Sequence, residues 1–95
     1  MVTLAQARTL ALSLPETVEM DHHGFPSFRV RGKIFATNPD PQHFNILLDE
    51  PGIHAAIAAY PRAVDGFLWG GRLAAASLTL KPATRDCVTD LLIQA

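Results

Sequence analysis

The sequence lacks most of the features from which a chemistry can be inferred. Its 95 residues include a single cysteine, Cys87, so no disulfide can form within the chain and the fold must rest on a packed core. The longest apolar runs are far shorter than the ~20 residues of a membrane-spanning helix. The N-terminus also lacks the pattern of a signal peptide. We therefore expect a cytoplasmic protein with no membrane partner.

An excess of charge of one sign is missing as well. The net charge is −1, charged residues make up 18% of the chain and hydrophobic residues 48%. Such a composition is typical of a globular chain, and this length predicts a single domain over residues 1–95. Because the net charge provides no general attraction for nucleic acid, binding of that kind requires a local basic patch.

Catalytic motifs are absent too. Cys87 falls on the apolar stripe of a predicted helix, where a buried thiol behaves as a small hydrophobic group. The serines have no G-x-S-x-G context, and Gly70-Gly71 is too short to cradle a phosphate. We predict a protein that is not an enzyme and has no cofactor.

Two adjacent histidines raise the possibility of a metal site. His22 and His23 follow the carboxylates of Glu19 and Asp21. Neighbouring residues of an extended chain point to opposite sides, so we expect the two imidazoles not to face one ion. We predict no metal site and interpret the histidines as polar residues of a turn on the surface.

Capping signals predict three helices. Thr3 and Gln6 form a capping box for the first helix, which should stop near Ser13 because Pro15 disfavours helical geometry before it. Two more helices are predicted, one opening at Asp49-Glu50-Pro51 and closing at Pro61, the other starting near Pro82 and ending with the chain.

Between the helices the hydrophobic pattern has a period of two, which is typical of strands. Arg31-Gly32 reads as a tight turn, and a two-residue loop there would place Phe28 opposite Phe35. A further turn is expected at Asn38-Pro39-Asp40-Pro41. The strands are predicted over residues 27–31, 33–37, 44–48, 64–68 and 75–80.

These elements predict an α+β fold, a two-layer sandwich in the order α-β-β-β-α-β-β-α. Consecutive hairpins imply an antiparallel sheet of five strands, with the three helices on one face. The predicted core consists of Phe28, Phe35, Phe44, Ile46, Leu78 and Leu80, under Leu10, Ile57 and Leu91.

The chain resembles the MmcQ/YjbR family of small bacterial proteins. The resemblance rests on Ala11-Leu12-Ser13-Leu14-Pro15, His23-Gly24, Pro26, Phe28-Arg29-Val30, Gly32-Lys33-Ile34-Phe35-Ala36 and Asn45-Ile46-Leu47-Leu48-Asp49-Glu50. It implies a two-layer fold like those of frataxin-type and secretion-chaperone-type domains. It also implies a predicted DNA-binding protein with a double-wing motif and no enzymatic activity. This chain departs from the family in its last hairpin, where Trp69 precedes Gly70-Gly71.

Basic residues near the turns are the candidate nucleic-acid site. Arg29, Arg31 and Lys33 flank one turn and Arg72 follows another. Such side chains on a hairpin can neutralise phosphates of duplex DNA, with Arg29 and Arg31 expected on the same side of their strand. The same residues could equally keep a hairpin soluble and protect a sheet edge.

The alternative is a protein-interaction module. By alternation, the second face of the sheet should carry Arg29, Ile34, Asn45, Leu47, Ser77 and Thr79. That mixture suits a protein partner, a homodimer or an ordinary solvated sheet. The aromatic ring of Trp69 could line such a contact or simply close the end of the core.

Overall fold

Three helices cover one face of a six-stranded antiparallel sheet in the computed structural model, which describes residues 2–95. The helices are α1 (Leu4–Leu12), α2 (Glu50–Ala59) and α3 (Arg85–Gln94). The strands are β1 (Thr17–His22), β2 (Phe25–Val30), β3 (Lys33–Asp40), β4 (His43–Ile46), β5 (Val64–Trp69) and β6 (Arg72–Thr79). The strand order across the sheet is β1-β2-β3-β4-β6-β5.

The helices begin at polar caps, as predicted for the first two. The Thr3 hydroxyl accepts from the Gln6 backbone N–H at 3.1 Å while the Gln6 side chain accepts from the Thr3 N–H at 3.0 Å. Asp49 caps α2 by accepting from the Gly52 N–H at 2.8 Å. The third helix begins later than predicted, because the hydroxyl of Thr84, and not a position near Pro82, caps its first turn.

The prediction of five strands is wrong, because residues Thr17–His22 form an additional edge strand, β1. Strands β1 and β2 are joined by a two-residue turn, His23-Gly24, with His22 paired to Phe25. Both turn residues have positive φ, 52° and 93°, which a tight type I′ hairpin requires. The observed order is therefore α-β-β-β-β-α-β-β-α.

The predicted pairing of Phe28 with Phe35 is also wrong. The turn at Arg31-Gly32 is present, but the register shifts between Phe28 and Arg29, so that Phe28 lies opposite Ala36. A bulge of this kind adds one residue to one strand and moves every later pair by one. Phe28 stacks instead on Phe44 of β4, with ring centroids 5.5 Å apart.

The turn predicted at residues 38–41 lies further along the chain. Strand β3 continues to Asp40, and the chain reverses at Pro41 and Gln42. Asn38 is buried just before it and donates from Nδ2 to the carbonyls of Asp40, at 2.6 Å, and His43, at 2.8 Å. The Asp40 carboxylate accepts from the Gln42 N–H at 2.8 Å and lies 2.9 Å from Nδ1 of His43.

Acid is expected to loosen this turn. The hydrogen bond from His43, with a second from the Gln42 N–H, lowers the pKa of the Asp40 carboxyl. A lowered folded-state pKa stabilises the protein above the unfolded-state pKa, and this stabilisation is lost as pH falls through the folded-state value. Asp40→Asn should therefore make the thermal midpoint less sensitive to pH below about pH 4. A parent and variant that lose stability in parallel there would contradict this.

The predicted core residues are confirmed. The side chains of Phe28, Phe44, Ile46 and Leu78 are at most 1% exposed, and they face the helices. Leu91 of α3 is fully buried over them, whereas Leu10 and Ile57 are partly buried at the margin of this core. In the described part of the chain the opposite face of the sheet carries no helix, and Val18 and Met20 of β1 lie exposed on it.

Candidate nucleic-acid interface

Two hairpin turns lie at the same end of the sheet. Strands β2 and β5 run in one direction, β3 and β6 in the other, since β3 is antiparallel to β4 and β4 to β6. The β2–β3 turn at Arg31-Gly32 and the β5–β6 turn at Gly70-Gly71 therefore point the same way. Strand β4 between them ends at Ile46, level with Ala36 and Ala76, so both hairpins extend beyond the centre of the sheet.

Both turns have the geometry that makes a narrow tip. The φ values are 54° and 79° at Arg31 and Gly32, and 60° and 79° at Gly70 and Gly71. In each case the flanking residues, Val30 with Lys33 and Trp69 with Arg72, are directly paired. Positive φ at both central residues lets the turn follow the right-handed twist of its strands.

Exposed basic side chains occupy the two tips. We call Arg31, Lys33 and Arg72 the tip cations; all three are exposed. Arg31 is paired with Glu16, its Nε lying 3.2 Å from a carboxylate oxygen, but both partners are largely exposed and such a pair is weak. Among residues 2–95, neither Lys33 nor Arg72 has a carboxylate within 4.0 Å. These two charges are therefore available to an anion.

Arg29 does not join the tip. It lies within β2, is half-buried, and donates from Nε to the Ser27 hydroxyl at 3.2 Å. The expectation that Arg29 and Arg31 share one side of a strand is wrong, because Arg31 lies in the turn beyond the end of β2, in the left-handed conformation. Alternation stops where the strand stops.

The other surface candidates are divided between the two ends of the sheet. Trp69 lies beside the second tip with 74% of its surface exposed, and its ring stacks on Phe67 at a centroid distance of 6.4 Å. His22 ends β1 and His23 begins the β1–β2 turn, at the opposite end, so neither is brought to the tip cations.

The two histidine rings are closer together than predicted. Their centroids are 4.4 Å apart in an edge-on arrangement, because the left-handed conformation of His23 interrupts the extended backbone. The premise of that expectation, an extended chain through both histidines, is therefore wrong, since the chain turns at His23. A metal centre still needs further ligands, and the described residues contain no group of three or more His, Cys, Asp or Glu side chains placed to hold an ion.

Cys87 offers no reactive thiolate at neutral pH. Its side chain is buried in α3, and this burial, together with the nearby charge of Asp90, raises the pKa of the thiol. Because the thiolate is the nucleophilic form, the raised pKa opposes covalent catalysis. No helix formed by residues 2–95 is long and apolar enough to cross a membrane.

A cavity of about 610 Å³ opens behind the first tip. Its walls come from the end of α1, the β2–β3 hairpin and the end of α3, and its lining includes Leu14, Val30, Phe35, Leu47 and Ile93. Lys33 supplies the cavity's charged side chain. The lining is otherwise apolar and presents no pair of groups suited to acid–base chemistry.

Comparison with known proteins bears on the fold. No family model matches the chain, and no curated protein matches it. The chain is similar to a solved structure, the Deinococcus radiodurans protein DR2400, whose domain is described as DUF419. The two superpose with a TM-score of 0.75 over 97% of this chain and 74% of that one, at 18% sequence identity. At this identity the likeness shows a shared fold.

Proposed function

We propose that the chain is a non-catalytic DNA-binding protein of the MmcQ/YjbR type, which binds duplex DNA through contacts with its phosphates. The observation that supports this best is the common direction of two narrow turns that carry the exposed cations Arg31, Lys33 and Arg72. Two basic hairpin tips that point the same way can contact the two phosphate backbones that border one groove of the duplex.

Phosphate contact is favoured over reading of the bases. Arginine and lysine bind phosphate readily, and neither tip carries the asparagine or glutamine that reads adenine. The start of α2, with exposed Asp49 and Glu50, lies at this same end because β4 leads into it. The repulsion of these carboxylates directs phosphates to the tips and away from the helix.

A salt titration tests the proposal. Binding to two duplexes of unrelated sequence, followed by fluorescence anisotropy, should show similar affinities and a marked weakening as salt rises. The triple variant Arg31→Ala/Lys33→Ala/Arg72→Ala should bind both duplexes more weakly. Its plot of log affinity against log salt should be shallower by about 0.9 for each phosphate contact that is lost.

The chain offers a matched control. Arg62, Lys81 and Arg85 are also exposed cations, but they lie at the opposite end, before β5, after β6 and at the start of α3. Replacing these three by alanine changes the net charge by the same amount as the tip triple variant. If binding depends on the tips, this control variant should bind DNA as the parent does. Equal losses in both triple variants, or no binding by the parent at low salt, would reject the proposal.

The open sheet face supports a second candidate, a protein-interaction or dimerisation module. Val18 and Met20 are 54% and 49% exposed there, beside the half-buried Arg29 and Ile34. Aliphatic side chains next to a cation suit a protein partner better than a polyanion. Val18→Glu/Met20→Glu should abolish binding of such a partner, while the salt dependence of DNA binding through the tips should not change.

A further inference from the structure

Strand β5 is an edge strand without the usual protection. It ends the sheet, so one side of its backbone, from Val64 to Trp69, has no neighbouring strand among residues 2–95. Proteins block such edges with proline, lysine or closely spaced charges, because an open edge pairs readily with another strand. β5 has no proline or lysine and a single charged residue, Asp65, whereas the opposite edge, β1, carries both Glu19 and Asp21.

The two halves of β5 differ in bulk. Its first half contains Asp65 and Gly66, which present little apolar surface. Its second half contains Leu68 and Trp69, which are 65% and 74% exposed. An antiparallel copy of the same strand would set the bulky half of one chain over the small half of the other.

We propose that two copies of this chain pair antiparallel along β5 to form a continuous sheet, with Phe67 at the two-fold axis. Directly opposed residues of paired strands share a face of the sheet, which restricts the register. Phe67 opposite its own copy satisfies this restriction. Gly66 then lies opposite Leu68 and Asp65 opposite Trp69, so each exposed apolar side chain gains a partner and a dimer of the isologous kind results.

The charges fit this register. Within each chain Arg72 is paired with Trp69, and by alternation both share the open face with Asp65. In the dimer, three neighbouring strands then carry these side chains on one face. They are Asp65 of the first copy, followed by Trp69 and Arg72 of the second. At the usual strand spacing, about 10 Å separates the backbones of Asp65 and the second copy's Arg72. The two side chains can approach across the indole ring, and unlike charges face each other at both ends of the interface.

Sedimentation velocity over a series of protein concentrations tests the dimer without DNA. Leu68→Lys places a charge over Gly66 of the second copy and should raise the dimer dissociation constant about tenfold or more. Val18→Lys makes the same kind of change on the other edge strand, at a side chain of similar exposure, and should leave the constant unchanged. Circular dichroism should show that both variants fold.

A charge exchange tests the register. Asp65→Arg alone and Arg72→Asp alone each bring like charges together across the interface and should weaken the dimer, while the double variant should restore it. A parent that remains monomeric up to about 1 mM overturns the proposal. So does a double variant no better than the single ones, or a Val18→Lys variant as weakened as Leu68→Lys. Arg72 belongs to both surfaces, but sedimentation without DNA and the Leu68→Lys variant report on the dimer alone, so its failure is distinguishable from a failure of DNA binding.

Discussion

Phe44→Ala is expected to lower the free energy of unfolding by about 3–5 kcal/mol. Phe44 is fully buried in the short central strand and stacks on Phe28 at a centroid distance of 5.5 Å. Its removal leaves a cavity in the core between the sheet and the helices, which the paired strands on both sides, β3 and β6, cannot close. A domain of this size has about 5–15 kcal/mol of stability in total, so the loss should be plain in urea unfolding.

Two further aromatic residues calibrate this result. Phe35→Ala should cost less than Phe44→Ala, because Phe35 is 8% exposed and already lines the cavity behind the first tip. Trp69→Ala should cost no more than about 0.5 kcal/mol, since 74% of that side chain is exposed. A Phe44→Ala variant as stable as Trp69→Ala would mean that the sheet and helices do not pack as described.

The elements predicted best are those determined by local chemistry. The capping box at Thr3 and Gln6 and the cap at Asp49 satisfy free N–H groups within three residues, so the sequence alone locates these helix starts. The turn at Arg31-Gly32 is also local, because Gly32 readily adopts the positive φ that a two-residue hairpin requires. The edge strand β1 was missed although His23-Gly24 carries a comparable turn signal, because its apolar residues, Val18 and Met20, face away from the core.

Register depends on interactions that local patterns do not contain. Phe28 and Phe35 were expected to pair because a two-residue turn fixes the count of residues between them. The bulge beyond Arg29 alters that count, and Phe28 instead packs against Phe44, whose position is set by β4 and β6. The position of a bulge depends on the twist of the whole sheet over its helices, and the sequence of a single hairpin does not determine that twist.

The candidate site was predicted in part. The sequence identified the basic residues near each turn, yet it could not show that the two turns point the same way, which follows from the order of all six strands. It also grouped Arg29 with Arg31, although the end of β2 at Val30 separates them.

Asn38→Asp is expected to be the most damaging change of a single polar group. Asn38 is 6% exposed, and its Nδ2 donates to the carbonyls of Asp40 at 2.6 Å and of His43 at 2.8 Å. The substitution keeps the shape but replaces the donor by an oxygen, leaving two carbonyl acceptors facing a carboxylate. We expect a loss of about 3 kcal/mol or more at neutral pH, since removing one partner of a buried charged or polar contact strands the other.

The pH dependence separates this mechanism from a simple loss of packing. Burial against two carbonyls raises the pKa of the introduced carboxyl in the folded state above its unfolded value. Its protonated form can still donate one of the two hydrogen bonds, so the variant is least destabilised relative to the parent below about pH 4. It loses further stability as pH rises through the folded-state pKa. Asn45→Asp, on the open face at a half-exposed position, is the control and should show little change with pH. Urea midpoints for both variants at pH 4 and pH 7 give the comparison, and a loss for Asn38→Asp that is equal at the two pH values would refute the buried-carboxylate explanation.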